Sequence, residues 1–407
     1  MKSRTKPPAR SHIVVLKQLL KHIPRSLIGE VARETGVEAK AREFCVFSHL
    51  TSMLFAQLTH AMGLNDVCDW LRLKQAALAG VGAVPPSRNG LSHANKVRSA
   101  EFTEKLFWSV LERLQTVDPS FAGGRKGRGL LRRFRVRIHA VDSTVMELFA
   151  NCMDWAKHRR RKAAAKMHLR LDLHSFLPSF AIVDTAGEHD NKRAREVCAG
   201  IAAGEIVVFD KAYVDFDHLA DLDARGVWWV TRAKDNMSFR VWRNLVKDEG
   251  KILRDQMVQI DGGRVVRRVE AWVEVDGKER LMVYITNNPN WSPTSVCDLY
   301  RRRWDIEVFF KQVKQTLKLG TFLGHSANAV RWQVFSALLV YVLLRFEAHL
   351  SNWGHSFTRL FAVVRAALWE RVDLRALLSG YGTAAGSFKV LGALQQAWLP
   401  GFARGAP

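Results

Sequence analysis

The chain has 407 residues, 48% of them hydrophobic, and 62 Lys and Arg against 39 Asp and Glu give a formal net charge of +23. Length and apolar content exclude a disordered chain and predict a globular protein of two to three domains, while so large a basic excess favours a polyanionic partner through counterion release. The five cysteines, Cys45, Cys68, Cys152, Cys198 and Cys297, lie far apart with no Cys-x-x-Cys pair, so neither a zinc site nor a disulfide framework is indicated. The longest apolar run, Val334 to Leu344, contains Ser336 and is closed by Arg331 and Arg345. It reads as too short to span a membrane. The segment from Met1 to Arg10 is basic and polar, without the apolar stretch of a signal peptide. An intracellular protein acting on nucleic acid is the expectation.

From Ile13 to about Gln115 the apolar residues recur at helical spacing, Phe47, Leu50, Leu54, Leu58 and Met62 among them, with turn signals at Gly63 and at Pro85 to Gly90. Residues 1–120 are therefore expected as a small all-α domain. A Gly-rich basic connector follows over 121–134, around Ala122-Gly-Gly-Arg-Lys-Gly-Arg-Gly129, with the composition of a flexible linker or an arm lying on phosphates. Short alternating or apolar runs then predict strands at Arg135 to Val145, Leu169 to Leu173 and Phe180 to Asp184. A helix at Asn191 to Ala199 leads to the strand Ile206-Val-Val-Phe209, a helix from about Phe216, and the strand Val227-Trp-Trp-Val230. This β-β-β-α-β-α-β order over 135–230 predicts an α/β layer structure with a mixed sheet. Period-two patterning and the hairpin turns Asp261-Gly-Gly263 and Asp276-Gly277 mark 231–290 as an inserted β subdomain. Residues 291–327 resume the core with a long helix, and 328–407 read as helical.

That long helix carries Tyr300, Arg303, Glu307 and Lys314, at spacings of three, four and seven. At about 100° per residue these fall within an arc of about 60° on a regular helix. One acid among Arg, Lys and Tyr suits a metal-held carboxylate beside a nucleic-acid backbone, since Arg forks onto phosphate oxygens and Lys adds a point charge. An amphipathic helix with a solvated basic face would show the same pattern. Phosphodiester chemistry often uses hard metal ions held by converging carboxylates, which draws attention to Asp142, on the first strand, and Asp210, at the C-terminal end of Ile206 to Phe209. Either Asp alone reads first as a cap or turn residue, and it is the three acids in this strand order that point to chemistry. The basic run from Lys157 to Lys162 is as consistent with a solvated surface as with a DNA track. His168 and His189 fit structural or DNA-facing places better than a hard metal site.

Together these residues resemble the bacterial DDE transposases of the insertion-sequence-four group. The Tyr-x2-Arg-x3-Glu-x6-Lys signature is complete at Tyr300, Arg303, Glu307 and Lys314, and its context is similar: Asp142-Ser-Thr on the first strand, Phe209-Asp-Lys-Ala-Tyr213 around the second Asp, and His189-Asp190 after the third strand. The resemblance implies an RNase H-like catalytic core with a mixed β-sheet, interrupted by the β-rich insertion, with a helical N-terminal DNA-binding domain and a helical C-terminal region. It implies that Asp142, Asp210 and Glu307 are catalytic and bind two Mg²⁺ ions, Mn²⁺ substituting, while Tyr300, Arg303 and Lys314 contact transposon-end phosphates. The partners so implied are double-stranded DNA, as terminal inverted repeats and target, and a second copy of the chain on paired ends; the helical region before Gln115 would read the repeat. In relatives a tryptophan of the insertion stacks on a flipped base; Trp228, Trp229, Trp272 and Trp291 stand in this region, and none is assigned. A nuclease on the same core without strand transfer, or a domesticated or decayed DNA-binding copy, would share many of these features; metal-dependent cutting at the repeats separates the three.

Overall fold

The structure, a computed structural model, describes residues 9–37, 43–123, 133–148, 157–159, 162–185, 190–260, 263–275, 277–319 and 322–381. Most of the basic connector expected over 121–134 therefore lies outside the described residues, as does His189. In chain order the helices α1 (Val15–Leu20), α2 (Arg25–Thr35), α3 (Val46–Thr59), α4 (Leu64–Leu73), α5 (Gln75–Val81), α6 (Arg88–Val97), α7 (Glu101–Val117) and α8 (Pro119–Gly123) come first. Then follow β1 (Ile138–Leu148), β2 (Lys157–Arg159), β3 (Lys162–Asp172), β4 (Leu177–Thr185), α9 (Asp190–Val197), β5 (Ile206–Phe209), α10 (Phe216–Ala224) and β6 (Trp228–Arg232). Strands β7 (Phe239–Glu249), β8 (Ile252–Ile260), β9 (Val265–Val275) and β10 (Lys278–Thr286) precede α11 (Pro293–Arg301), α12 (Asp305–Lys311), α13 (Ala327–Leu350), α14 (Phe357–Ala366) and α15 (Leu374–Gly380).

The chain divides into two compact units. The first takes Met1–Ala122, Met146–Ala165 and Val308–Pro407, and α13 runs through its core. Apolar all round, as a helix enclosed by others must be, α13 packs on α3, α6 and α7. Polar groups fix its register: Trp332 Nε1 donates to the Arg98 carbonyl at 2.8 Å, Asn328 Oδ1 accepts from the Ala100 N–H at 2.8 Å, and Arg331 pairs with Glu104 at 2.6 Å. At 24 residues the helix is longer than its apolar run and meets the length and composition of a membrane span, but 83% of its most apolar window is buried within the protein. Its apolar surface is thus already covered by protein. The regions expected separately as 1–120 and 328–407 share this single core.

The second unit takes Gly123–Val145 and Lys166–Glu307. The sheet runs β2-β3-β1-β5-β6-β10-β9-β8-β7, with β4 pairing β3. Strands β1, β5 and β6 are parallel, and β10 is antiparallel to β6 with Thr286 opposite Val230 and Tyr284 opposite Arg232. The strands of the expected insertion continue the core sheet, β10 pairing the edge of β6. The short β2 is unforeseen. Val141, Val207, Phe209, Trp229 and Ile285 are buried with Ala194 and Val197 of α9 and Leu219 and Leu222 of α10, while Tyr284, on the alternate face of β10, packs on Tyr300 of α11 with ring centroids 5.0 Å apart.

Candidate active site

Parallel pairing of β1 with β5 places the first two acids. The ladder runs from Ile138 opposite Ile206 to Val141 opposite Phe209, so Asp142 and Asp210 are the next residues on neighbouring strands. Both stand toward the C-terminal side of the parallel ladder, where open α/β sheets bind their ligands. Each is anchored locally as well. Asp142 Oδ1 accepts from the Ser143 N–H at 2.8 Å, and Asp210 Oδ1 accepts from the Ala212 N–H at 3.1 Å as the cap of the turn Lys211–Tyr213.

The third acid arrives on a helix that is not regular. Helix α11 starts at Ser292, which accepts from the Ser295 N–H at 3.2 Å, with Pro293 in the first turn where it lacks no bond. It ends at Arg301, the chain tightens into a 3-10 turn over Arg302–Trp304, and α12 then carries Glu307. Residues 312–316 form a widened turn, closed by Leu317 N–H to the Gln312 carbonyl at 3.2 Å. The expectation of one long helix with a constant 100° step is corrected on this point: a tight turn and a wide turn each reset the angular count. Tyr300, Arg303 and Glu307 nevertheless reach the two aspartates. Tyr300 OH donates to Asp210 Oδ2 at 3.3 Å; Arg303 Nη1 donates to Asp142 Oδ2 at 2.7 Å and Nη2 to Glu307 Oε1 at 2.8 Å. Lys314 sits on the widened turn in the first unit, whereas the other five belong to the second.

The electrostatics follow from burial among like charges. The Asp142 carboxyl is pushed up to about 6, chiefly by burial; Arg303 and the Ser143 N–H oppose the rise, and Asp210 and Glu307 add to it. Burial works against the charge on Arg303, but Asp142, Tyr300, Glu307 and Asp210 together raise its pKa, so it stays a guanidinium. Burial also lifts the Tyr300 phenol to about 12, which keeps it a hydrogen-bond donor. Three carboxylates thus act on the Arg303 guanidinium. As a donor set this fits a hard divalent metal, which prefers carboxylate oxygens and supplies the missing positive charge. Among the described residues, however, no three acids, histidines or cysteines are drawn together closely enough to hold a metal as they stand; protein donors occupy the acids instead.

A neighbouring network escaped the sequence reading. Ser143 Oγ donates to Asp190 at 2.7 Å, Lys166 Nζ lies 3.4 Å from the same carboxylate, and His168 Nδ1 is 3.1 Å from the Tyr213 hydroxyl. His168 is fully buried, and burial pulls its pKa down to about 4, so it is a neutral structural residue. Ser143 and Asp190 stand in the motifs Asp142-Ser-Thr and His189-Asp190, but their hydrogen bond joins positions 47 apart and no local pattern pairs them. Of the basic run, Lys157–Arg159 form β2, and the positions after it are only partly described. Trp229 is buried with Nε1 donating to Asp223 at 2.8 Å, Trp228 meets Trp291 edge-on with centroids 6.1 Å apart, and Trp272 is partly exposed. Trp242, on β7 and not considered from sequence, is 71% exposed.

Comparison with known proteins places this geometry in a family. The model of the Transposase DDE domain matches residues 135–343, just over half of the chain, and a model of a Domain of unknown function (DUF4372) matches residues 11–84. The chain is 29% identical over 270 residues to "Putative transposase y4zB" of Sinorhizobium fredii, covering 62% of this chain and 73% of that protein. It is 28% identical over 243 residues to "Probable transposase for insertion sequence element IS5377" of Geobacillus stearothermophilus, covering 58% of this chain and 63% of that protein. It is 23% identical over 384 residues to "Transposase for insertion sequence element IS231E" of Bacillus thuringiensis, covering 80% and 78%. The matched domain contains both acid-bearing strands and the whole segment from Tyr300 to Lys314, so the chain belongs to the DDE transposase family, whose members are divalent-metal-dependent enzymes that cut and join DNA at the ends of insertion sequences.

Proposed function

We propose that this transposase moves its element by cut-and-paste transposition, with Asp142, Asp210 and Glu307 as the metal-binding catalytic acids, Mg²⁺ as the metal and Mn²⁺ as its substitute. The observation that carries the assignment is the side-by-side register of Asp142 and Asp210, joined through Arg303 and Tyr300 to the segment bearing Glu307. The order β3-β1-β5-β6, with Asp142 within β1 and Asp210 just past β5, each the next residue after the paired stretch, supports reading the second unit as an RNase H-like core. When bound, the divalent metal supplies an activated attacking oxygen and stabilises the leaving one.

The protein's own residues do the placing. Asp142 and Asp210 are fixed through Oδ1 by backbone N–H groups, so the Oδ2 atoms that Arg303 and Tyr300 contact have defined positions. Arg303 offers a planar fork that matches phosphate oxygens, and the Tyr300 hydroxyl donates one further bond; both hold the end phosphate in line with the acids, and Lys314 adds charge along the strand. Water first cleaves the phosphodiester, the proton leaving to solvent and the 3′-hydroxyl departing. That hydroxyl then attacks a target phosphodiester, releasing the target's own 3′-hydroxyl, so bonds balance in both steps. Paired inverted repeats need two such sites, so the working assembly is a homodimer acting on DNA in the cytoplasm. The test is a joining assay: labelled terminal-repeat duplex incubated with supercoiled plasmid and Mg²⁺. We expect covalent repeat-plasmid products; cutting that ignores the repeats and yields no joined product would replace this reading with a nuclease.

A further inference from the structure

Arg303 engages two of the three acids with one guanidinium, through Nη1 to Asp142 and Nη2 to Glu307. Its side chain is 9% exposed, and its Nε has no hydrogen-bond partner among the described residues. Charge-assisted bonds of this kind are short and strong, and a buried cation stripped of one partner is strongly destabilised. With one donor of each Nη group committed to a carboxylate, the fork the two form faces the acids and not a phosphate. The oxygens it covers are those a divalent cation would need.

We propose that Arg303 is a resident counter-ion of the DNA-free site: it occupies the metal-binding oxygens of Asp142 and Glu307 until an end phosphate draws it away, so that DNA binding and metal binding strengthen each other. The inference rests on the assignment of Asp142, Asp210 and Glu307 as the metal-binding acids. The charges are conserved in the exchange, since the guanidinium moves from carboxylate to phosphate as a metal cation takes its place. Glu307 is the arm best able to follow, its side chain being 57% exposed where that of Asp142 is 19% exposed. Thermodynamic reciprocity then makes the coupling measurable from either side.

The test titrates Mn²⁺ into the DNA-free, full-length protein and follows free Mn²⁺ by electron paramagnetic resonance, for wild type, Arg303→Lys and Asp210→Asn. Lysine keeps the positive charge but lacks the planar fork that spans Asp142 and Glu307 at once. We expect Arg303→Lys to bind Mn²⁺ at least about fivefold more tightly than wild type, in the usual range of coupling, and Asp210→Asn to bind it more weakly. Equal affinity of wild type and Arg303→Lys, with Asp210→Asn still weaker, would overturn the counter-ion role and leave the site assignment standing. Indifference of Mn²⁺ binding to Asp210→Asn would overturn the assignment, and the counter-ion role with it. Should Arg303→Lys not fold, the wild type decides alone: by fluorescence anisotropy, a terminal-repeat duplex should bind at least about fivefold more tightly in Ca²⁺ than in EDTA at matched ionic strength, and Glu307→Gln should lose that gain. No gain in wild type would overturn the proposal.

Discussion

Asp210 caps the turn after its strand through Oδ1 and accepts from the Tyr300 hydroxyl through Oδ2, so the proposed catalytic role has to coexist with a structural one in one side chain. Asparagine caps as well as aspartate but is a poorer ligand for a hard cation. Asp210→Asn should therefore change unfolding free energy by less than about 0.5 kcal/mol while abolishing metal-dependent cutting; a loss of several kcal/mol in urea unfolding would make the acid structural. His49 sets a pH dependence of stability elsewhere. Fully buried beside Asn95 at 2.8 Å, it has its pKa pushed down to about 3, first by burial. The unfolded chain takes up its proton below about 6.5 and the native state does not, so stability is complete above that pH and falls as pH drops towards the native value, by about 2 kcal/mol at pH 5. His49→Gln, which keeps a donor for Asn95, should flatten the loss between pH 7 and 5; an unchanged slope would contradict the assignment. At this scale the sequence was informative where chemistry is local. An acid after an apolar run marks Asp142 and Asp210, but the bond from Arg303 to Asp142 crosses 161 positions, and no pattern along the chain announces it.

Elements were legible where one period dominates. The run Ile206 to Phe209, buried throughout, and the alternation of β9 and β10 each lie close to the strands observed. The segment from Tyr300 to Lys314 was legible in composition but not in geometry, because its apolar residues satisfy a helical period whether or not single turns tighten or widen. The role of β10 was hidden for a different reason: period two fixes which face a residue takes, not which strand becomes its neighbour. In the first unit, the indole of Trp332 combines packing on Phe102, centroids 5.5 Å apart, with the bond to the Arg98 carbonyl. Trp332→Ala should cost about 3–5 kcal/mol and Trp332→Phe about 1 kcal/mol in denaturant unfolding; equal costs for the two would show that the hydrogen bond, not the packed volume, anchors α13.

At the scale of the whole molecule, charge and length indicated a globular protein acting on nucleic acid, but the grouping of its helices could not be read from the chain. Helices before residue 122 and after residue 308 complete one core, a long-range contact that helical periodicity cannot report. Residues 1–122 expressed alone should accordingly lack a cooperative urea transition, having lost α13; a sharp transition for that fragment would show that it folds independently. The central claim is that Asp142, Asp210 and Glu307 act together on DNA through a divalent metal. Its most direct test is cleavage of end-labelled terminal-repeat DNA, with Mg²⁺ and with EDTA, by wild type and by Asp142→Asn, Asp210→Asn and Glu307→Gln, each first shown to bind the repeat. The account predicts Mg²⁺-dependent cutting at the repeat boundary by wild type, and loss of cutting with binding retained in all three variants. Cutting at wild-type rate by any one of them would contradict it.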